Sequence, residues 1–446
     1  MPTDHRAIVE DLAAAPDVRS GGGGGGGGGG AWRQLLKSRP AAVGLGMLAA
    51  IIGACIFSLP WTLGTVAEPG LAALGEQQPS GPRYERQDRS APRLPPVWAT
   101  SDRYTPAIEA VAVDAATRAE ADRRGTPYDH LAESGFTPTA EQVAANRPHY
   151  LLGTDHLGRS LTARVLLGGA LSLLIGLAAA ALSVVIGTLY GAIAGYAGGV
   201  VDGVMMRIVD VLYGLPYILL VVLLAVAVDG ALGRWQSARV AGISAATERM
   251  VSESLDALPP EQRTDEARME AVGRARTQLG SGELTPAQSQ AVNLVTLLVA
   301  IGGVSWLTMA RVIRGQVLSL KAQPFMEAAR AIGVGVKRQF SRHLLPNLVG
   351  PIVVYATLMV PQAMLQESFL SFLGIGVKPP LPSWGNLAAD ALGELNTVRS
   401  HWWLLLFPCL LLGVTLLSLN FVGEAIREAV DPRLSTRRAG GGGGGK

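Results

Sequence analysis

The chain has 446 residues, 49% of them hydrophobic and only 16% charged. Ordinary soluble chains carry roughly 25% charged residues, so this balance excludes a typical soluble enzyme. The net charge of +3 gives no overall attraction to nucleic acid, and the information lies in where basic residues fall relative to the apolar runs.

An α-helix needs about 20 predominantly apolar residues to cross the hydrocarbon core, and several uncharged runs reach that length. Residues 1–30 come first, polar and ending in ten consecutive glycines. That composition buries no core and predicts a flexible cytoplasmic tether. Its apolar content is too low for a cleaved signal peptide, so the first helix is expected to stay as an anchor. Residues 31–64 carry that helix: Arg33, Lys37 and Arg39 precede an uncharged stretch from Ala41 to about Leu63, and basic flanks stay in the cytoplasm. The Pro- and charge-rich residues 65–150 predict an extracytoplasmic segment with partial order.

Residues 151–430 read as the core, with helices over about 165–194, 204–228, 291–310, 348–377 and 402–422. Gly187, Gly191, Gly195 and Gly199 recur every four residues, after Ser172, Gly176 and Ala180 at the same interval. Such a row lies on one helix face, where small residues let two backbones approach closely in lipid. Arg207 and Asp210 begin the third helix three residues apart, spaced to pair, with a transport role as the alternative for charges at that depth. The polar interval 229–290, with seven Arg against nine acidic residues, reads as a second extracytoplasmic insertion rich in helix formers. Six crossings return the chain to its starting side. The loop 311–347 holds seven Lys or Arg and one acidic residue, Glu327, so it and the Arg-bearing tail 431–446 are assigned to the cytoplasm. Cys55 and Cys409 lie inside apolar runs and read as small hydrophobes. The six histidines lack metal-ligand spacing, and no metal site is expected.

The basic loop carries more than a connection. Phe325, Ala329, Ile332, Val336 and Phe340 fall at helical spacing, an apolar stripe outside the membrane that needs a protein partner or a lipid surface. Gly333 and Gly335 interrupt it, predicting two short helices with a sharp bend. Glu367, just past Pro361 in the fifth helix, is an ionisable group that either lines the route or packs neutral and hydrogen-bonded between helices.

These residues carry a resemblance. Glu327-Ala328-Ala329, then Gly333, Leu345 and Pro346, resembles the EAA loop of bacterial ABC importer permeases. Gly153-Thr154-Asp155-His156-Leu157-Gly158-Arg159 resembles an element of the dipeptide, oligopeptide and nickel branch. Arg342 to Asn347, Glu367 to Gly374, Pro382-Ser383-Trp384-Gly385 and Asp431-Pro432-Arg433 follow in that family's order. The resemblance implies an all-α integral membrane protein of six transmembrane helices, a MetI-like core of five plus an N-terminal helix, in the bacterial inner membrane with both termini cytoplasmic. It also implies that Glu327, Ala328, Ala329, Ile332, Gly333, Val336 and Phe340 dock on a separate ATPase, which binds the ATP. Further partners would be a second permease of the same family and an extracytoplasmic substrate-binding protein. Peptides are the implied substrate, with nickel or another small solute as the alternative. The chain departs from the pattern at Ser160, where the family usually has an acidic residue, in the length of 229–290, and in both glycine tracts.

No Gly-x-x-x-x-Gly-Lys-Ser/Thr string occurs, so the sequence lacks the loop that cradles nucleotide phosphates and no enzymatic activity is expected of it. Two rival classes are an ion-gradient-driven secondary transporter and a membrane scaffold. The first would show inverted repeats and broken helices about a midplane site, neither of which is legible.

Overall fold

The computed structural model describes residues 38–67, 80–88, 90–99, 102–280, 282–395 and 400–430. The 1–30 tether, the basic residues Arg33 and Lys37, and the 431–446 tail with its Asp431-Pro432-Arg433 string lie outside the described residues. Among those described, six helices are long and apolar enough to cross a membrane. The chain is a multi-pass, all-α membrane protein.

The first crossing is α1 (Arg39–Phe57), continued after Ser58 by the short α2 (Leu59–Leu63). A three-residue strand, β1 (Thr65–Ala67), pairs antiparallel with β2 (Ser80–Pro82), Val66 opposite Gly81. Helices α3 (Thr105–Arg124), α4 (Tyr128–Glu133) and α5 (Ala140–Ala145) then build a lobe on one end of the bundle. Arg93 clamps it down through a paired contact to Glu394 at 2.6 and 2.8 Å, and Tyr104 donates a hydrogen bond to the carbonyl of Ser400. The partial order expected over 65–150 is thus a packed lobe across its described residues.

The second crossing, α6 (Leu161–Ala197), lies against the fourth, α10, and the glycine row sets how close they come. A methyl group built at Gly187 would sit 2.5 Å from the Cβ of Met309, and one at Gly191 would strike the carbonyl of Ala310. Gly195 faces Val317 in the same groove, and Gly176 faces Met364. Gly199 does not belong to this face: its φ is +53° and nothing lies within 4 Å of an added Cβ. It serves the turn into α7 (Gly199–Tyr213), where a left-handed backbone favours glycine.

The third crossing differs most from expectation. Instead of one helix over 204–228, α7 stops at Tyr213, Gly214-Leu215-Pro216 intervene, and α8 (Tyr217–Asp256) begins. Pro216 lacks a backbone donor and disfavours helical geometry in the residue before it. The apolar run hides this break because Gly, Leu and Pro interrupt structure without adding charge. The Arg207–Asp210 pairing is also replaced: Asp210 accepts from Arg311 at 2.8 Å, and Asp202 takes Arg314 in two contacts of 2.5 and 2.6 Å.

Beyond Asp229, α8 continues as far as Asp256, and α9 (Asp265–Leu279) folds back on it through Val251, Ala271 and Ala275. The interval 229–290 is therefore largely a helical hairpin. Next come α10 (Pro286–Lys321), α11 (Pro324–Ala331), α12 (Val336–Gln339), a π turn over Phe340–Leu344, α13 (Leu345–Phe372), α14 (Trp384–Leu392) and α15 (Trp403–Val430). Four crossings outrun or miss the expected 165–194, 291–310, 348–377 and 402–422. Polar helix formers carry α10 and α15 beyond the apolar stretch, α6 begins early at Leu161, and Gly374 at φ +79° ends α13 early.

Ion pairs fix the depth of the bundle. On the lobe side Lys378 pairs with Asp229 at 3.1 Å, and its backbone N–H donates to Asn293. On the other side Asp202 holds Arg314, and the Lys321 ammonium donates to the Tyr196 carbonyl at 2.7 Å. Asn293 and Arg314 are 21 residues apart on α10, ~32 Å at the helical rise, matching a hydrocarbon core about 30 Å thick.

Candidate functional site

At the end opposite the lobe, the chain between α10 and α13 makes a compact projection. Pro324 sits in the first turn of α11, where its missing N–H costs no hydrogen bond. Met326 and Ala329 on the inner face are 0% and 3% exposed. Met326 joins Ile313, Val317, Leu344 and Leu348, which root the projection on α10 and α13. After Ala331 the chain reverses at Gly333, φ +74°, with the Val334 N–H returning to the Ala329 carbonyl at 3.0 Å. A positive φ here is the usual helix-ending use of glycine. Gln339 locks the far side: its amide donates to the Val334 carbonyl, and its oxygen accepts from Tyr196 of α6 at 3.0 Å.

The expected pair of short helices with a bend is present, but its apolar stripe divides in two. Ala329 is buried, and Phe340 is half-buried against the root. Ile332 and Val336 are 79% and 61% exposed, and with Phe325 they form the outward apolar surface. Glu327, Ala328 and Gly333 are exposed beside them, as are the cations Lys337, Arg338 and Arg342. Glu327 makes no ion pair among the described residues. The projection thus presents a solvent-exposed apolar tip ringed by charge and rooted in three crossings, the composition of a protein or membrane contact surface.

The other motif strings gather at the lobe end. In Gly153–Arg159, one Asp155 carboxylate oxygen accepts the N–H groups of Leu157 and Arg159, both at 2.9 Å. The other accepts the guanidiniums of Arg159 at 2.7 Å and Arg164 at 2.6 Å. Burial pushes this carboxyl up, but the two guanidiniums and the Arg159 N–H outweigh it, leaving it below the usual carboxylate range. Gly153 and Gly158 have φ of +86° and +73°, and a side chain on either would meet the carbonyls of Leu94 and Asp88.

Glu367 is fully buried at 0% exposure. It accepts from Ser371 at 2.7 Å and Ser368 at 3.3 Å, while Ser172 and Ser383 bring further hydroxyls. The Ser371 hydroxyl in turn accepts the Val377 N–H. Trp384, 0% exposed, donates to the Val165 carbonyl at 3.0 Å. The two strings Glu367–Gly374 and Pro382–Gly385 thus close one hydrogen-bonded knot against α6. Of the two sequence readings of Glu367, these surroundings are those of the packed, hydrogen-bonded one. Cys55 is buried beside Gly169 as expected, whereas Cys409 is exposed on α15.

The sequence profile described as "binding-protein-dependent transport system inner membrane component" matches residues 187–436. The chain belongs to that family. As such an inner membrane component it is a permease subunit, and the resemblance read from its motifs is borne out. It is similar to the dipeptide transport system permease protein DppC of Bacillus subtilis, 34% identical over 304 residues covering 68% of this chain and 72% of that protein. It is also similar to the oligopeptide transport system permease protein OppC of Salmonella typhimurium, 38% identical over 67% of this chain and 76% of the relative. OppC of Escherichia coli is 40% identical over 64% of this chain and 72% of that protein. The family match takes in the projection and the Glu367–Gly374 and Pro382–Gly385 strings of the knot, and it starts after the lobe and after Val165 and Ser172.

Sequence reasoning missed one further constellation. Tyr217 at the start of α8, Ser305 on α10 and Gln366 on α13 meet in the middle of the bundle. The Tyr217 hydroxyl lies 2.8 Å from that of Ser305 and donates to the Gln366 side-chain oxygen at 2.7 Å. The available signal was an amide inside an apolar run, next to Glu367.

Proposed function

We propose that this permease is the transmembrane subunit of an ATP-driven importer that moves di- or oligopeptides across the cytoplasmic membrane. The rooted, solvent-exposed projection Pro324–Gln339 supports the coupling part of that reading. The names of the dipeptide and oligopeptide relatives support the peptide part. ATP is bound and split by a separate ATPase chain that docks on Ile332, Val336, Phe325 and the neighbouring Glu327, and this chain binds no cofactor of its own. The basic segment 311–347 and both chain ends face the cytosol, and the lobe faces outward toward a substrate-binding protein. A second permease of the same family completes the route.

In this scheme the ATPase exerts force on the tip, and the buried root passes it into α10, α13 and, through Gln339–Tyr196, α6. Access alternates because the tip binds the closed ATPase pair differently from the open one, the condition for any ligand to bias a two-state equilibrium. The test is reconstitution in proteoliposomes with the ATPase, the second permease and the binding protein. Ile332→Asp changes only an exposed side chain, yet uptake and ATPase capture are expected to fall tenfold or more at normal insertion. Gly333→Pro, which demands a negative φ where +74° is found, should do the same. Full uptake by both variants refutes the coupling role, and residue 332 labelled from the outside refutes the orientation.

A further inference from the structure

The broken third crossing and the midplane amides coincide. Ser305 is 12 residues from Asn293 and 9 from Arg314 on α10, ~18 Å and ~14 Å from the two ion-paired ends. Tyr217 is likewise 12 residues from Asp229. The cluster of Tyr217, Ser305 and Gln366 therefore sits near the middle of the membrane, and Gly214-Leu215-Pro216 lies immediately beside it.

Two independent features mark this face as wet. The first is the backbone: Gly214, Leu215 and Pro216 are all exposed, and the first-turn N–H groups of α8 have no intrahelical partner. Non-helical backbone at membrane depth is tolerated only where protein buries it or where it lines a water-filled cavity. The second is side-chain chemistry. Gln366 is half-buried and has its oxygen held by Tyr217 and Ser305, at 2.7 and 3.2 Å, and its NH2 has no hydrogen-bond partner among the described residues. One turn earlier on α13, Gln362 is exposed and makes no hydrogen bond among the described residues. Thr308, one turn beyond Ser305, is exposed as well. The outward row of α6 is by contrast wholly apolar: Leu174, Leu177, Val185, Leu189 and Ile193.

We infer that Gln362 and Gln366, with the α7–α8 break opposite them, form the wall of the translocation route and offer its solute amide hydrogen bonds. The inference rests on the importer reading and deepens it. The Gln362 carboxamide presents the same donor and acceptor pair as a peptide group and the Gln366 NH2 adds a donor, so the two recognise backbone and terminal carboxylate without reading side chains. That suits a permease that passes peptides of differing sequence. Tyr217 and Ser305 are positioning residues: they hold the Gln366 oxygen and aim its NH2 at the route.

The experiment uses the assembled transporter in proteoliposomes, with Cys55 and Cys409 replaced by alanine. Single cysteines are placed by Gln362→Cys, Gln366→Cys and, on the lipid face, Leu177→Cys. A membrane-impermeant charged thiosulfonate should modify the first two at least tenfold faster than the third, because it reacts with thiolate in water and not with thiol in lipid. Rates at 362 and 366 equal to that at 177 overturn the inference, and they also cover the case of a dry interface with the second permease. Dipeptide uptake then reads recognition: Gln366→Leu is expected to raise KM at least tenfold with ATP hydrolysis retained, and Gln366→Asn to recover part of it. Unchanged KM in Gln362→Leu and in Gln366→Leu overturns the recognition role. The labelling arm needs no peptide, so it decides the wet wall even if the solute belongs to another class.

Discussion

Asp155→Asn isolates the role of the Gly153–Arg159 loop. The substitution keeps the shape and the oxygen that accepts from Leu157 and Arg159, but it puts an NH2 where two guanidiniums now donate. Arg159 and Arg164 are only 8% and 4% exposed, so their charge stays buried. The remaining acid near Arg164, Asp390, is 3.8 Å away and half exposed. Breaking a buried pair by removing one partner costs about 3–5 kcal/mol. The lower end applies because Arg159 lies at the aqueous edge, giving ~3 kcal/mol or on the order of a 150-fold change in the unfolding equilibrium. Denaturant titration in detergent, followed by proteolysis of the lobe, measures it. The Asp155 pKa is depressed in the fold, so its contribution is full above about 3.9, the unfolded value, and fades as pH falls through the folded one. The variant and the parent should therefore converge in acid. Adding Arg164→Met to Asp155→Asn should restore part of the loss, since it removes the stranded charge. A difference below ~1 kcal/mol at neutral pH, or none of that convergence, would refute the account.

Other outcomes follow from the same geometry. Gly191→Val, whose side chain would enter the Ala310 carbonyl, should abolish accumulation of folded protein. Gly199→Ala should cost only about 1 kcal/mol, the strain of a left-handed residue, read as a small shift in detergent melting. Glu367→Gln should insert normally and keep uptake, since an amide still accepts from Ser371. Glu367→Leu strands those hydroxyls at about 1–3 kcal/mol each and should lower yield, and lost uptake in a stable Glu367→Gln protein would contradict the structural role. Burial lowers the His401 pKa more than Glu394 raises it, so His401 is neutral in the fold where the unfolded chain takes up a proton. Stability should thus decline as pH drops below about 6.5, the unfolded value, and His401→Gln should flatten that part of the pH curve.

Much of this protein follows from residue order alone. Six runs of sufficient length, the Lys and Arg of 311–347, and the Gly333 and Gly335 pair specify crossings, a basic loop and its bend, because hydrocarbon length and backbone sterics act locally. The period-four glycines likewise announce a close helix contact, though they do not name its partner. Only tertiary packing supplied α10 as that partner and removed Gly199 from the row. It also split the stripe of the projection, sending Ala329 inward and Ile332 outward, since helical spacing gives a face but not what covers it. Glu367 and Gln366 are adjacent in sequence, yet one is enclosed by serines and the other opens at mid-membrane. A helix turns 100° per residue, so one step along α13 separates knot from route, and no composition or period records which side faces water.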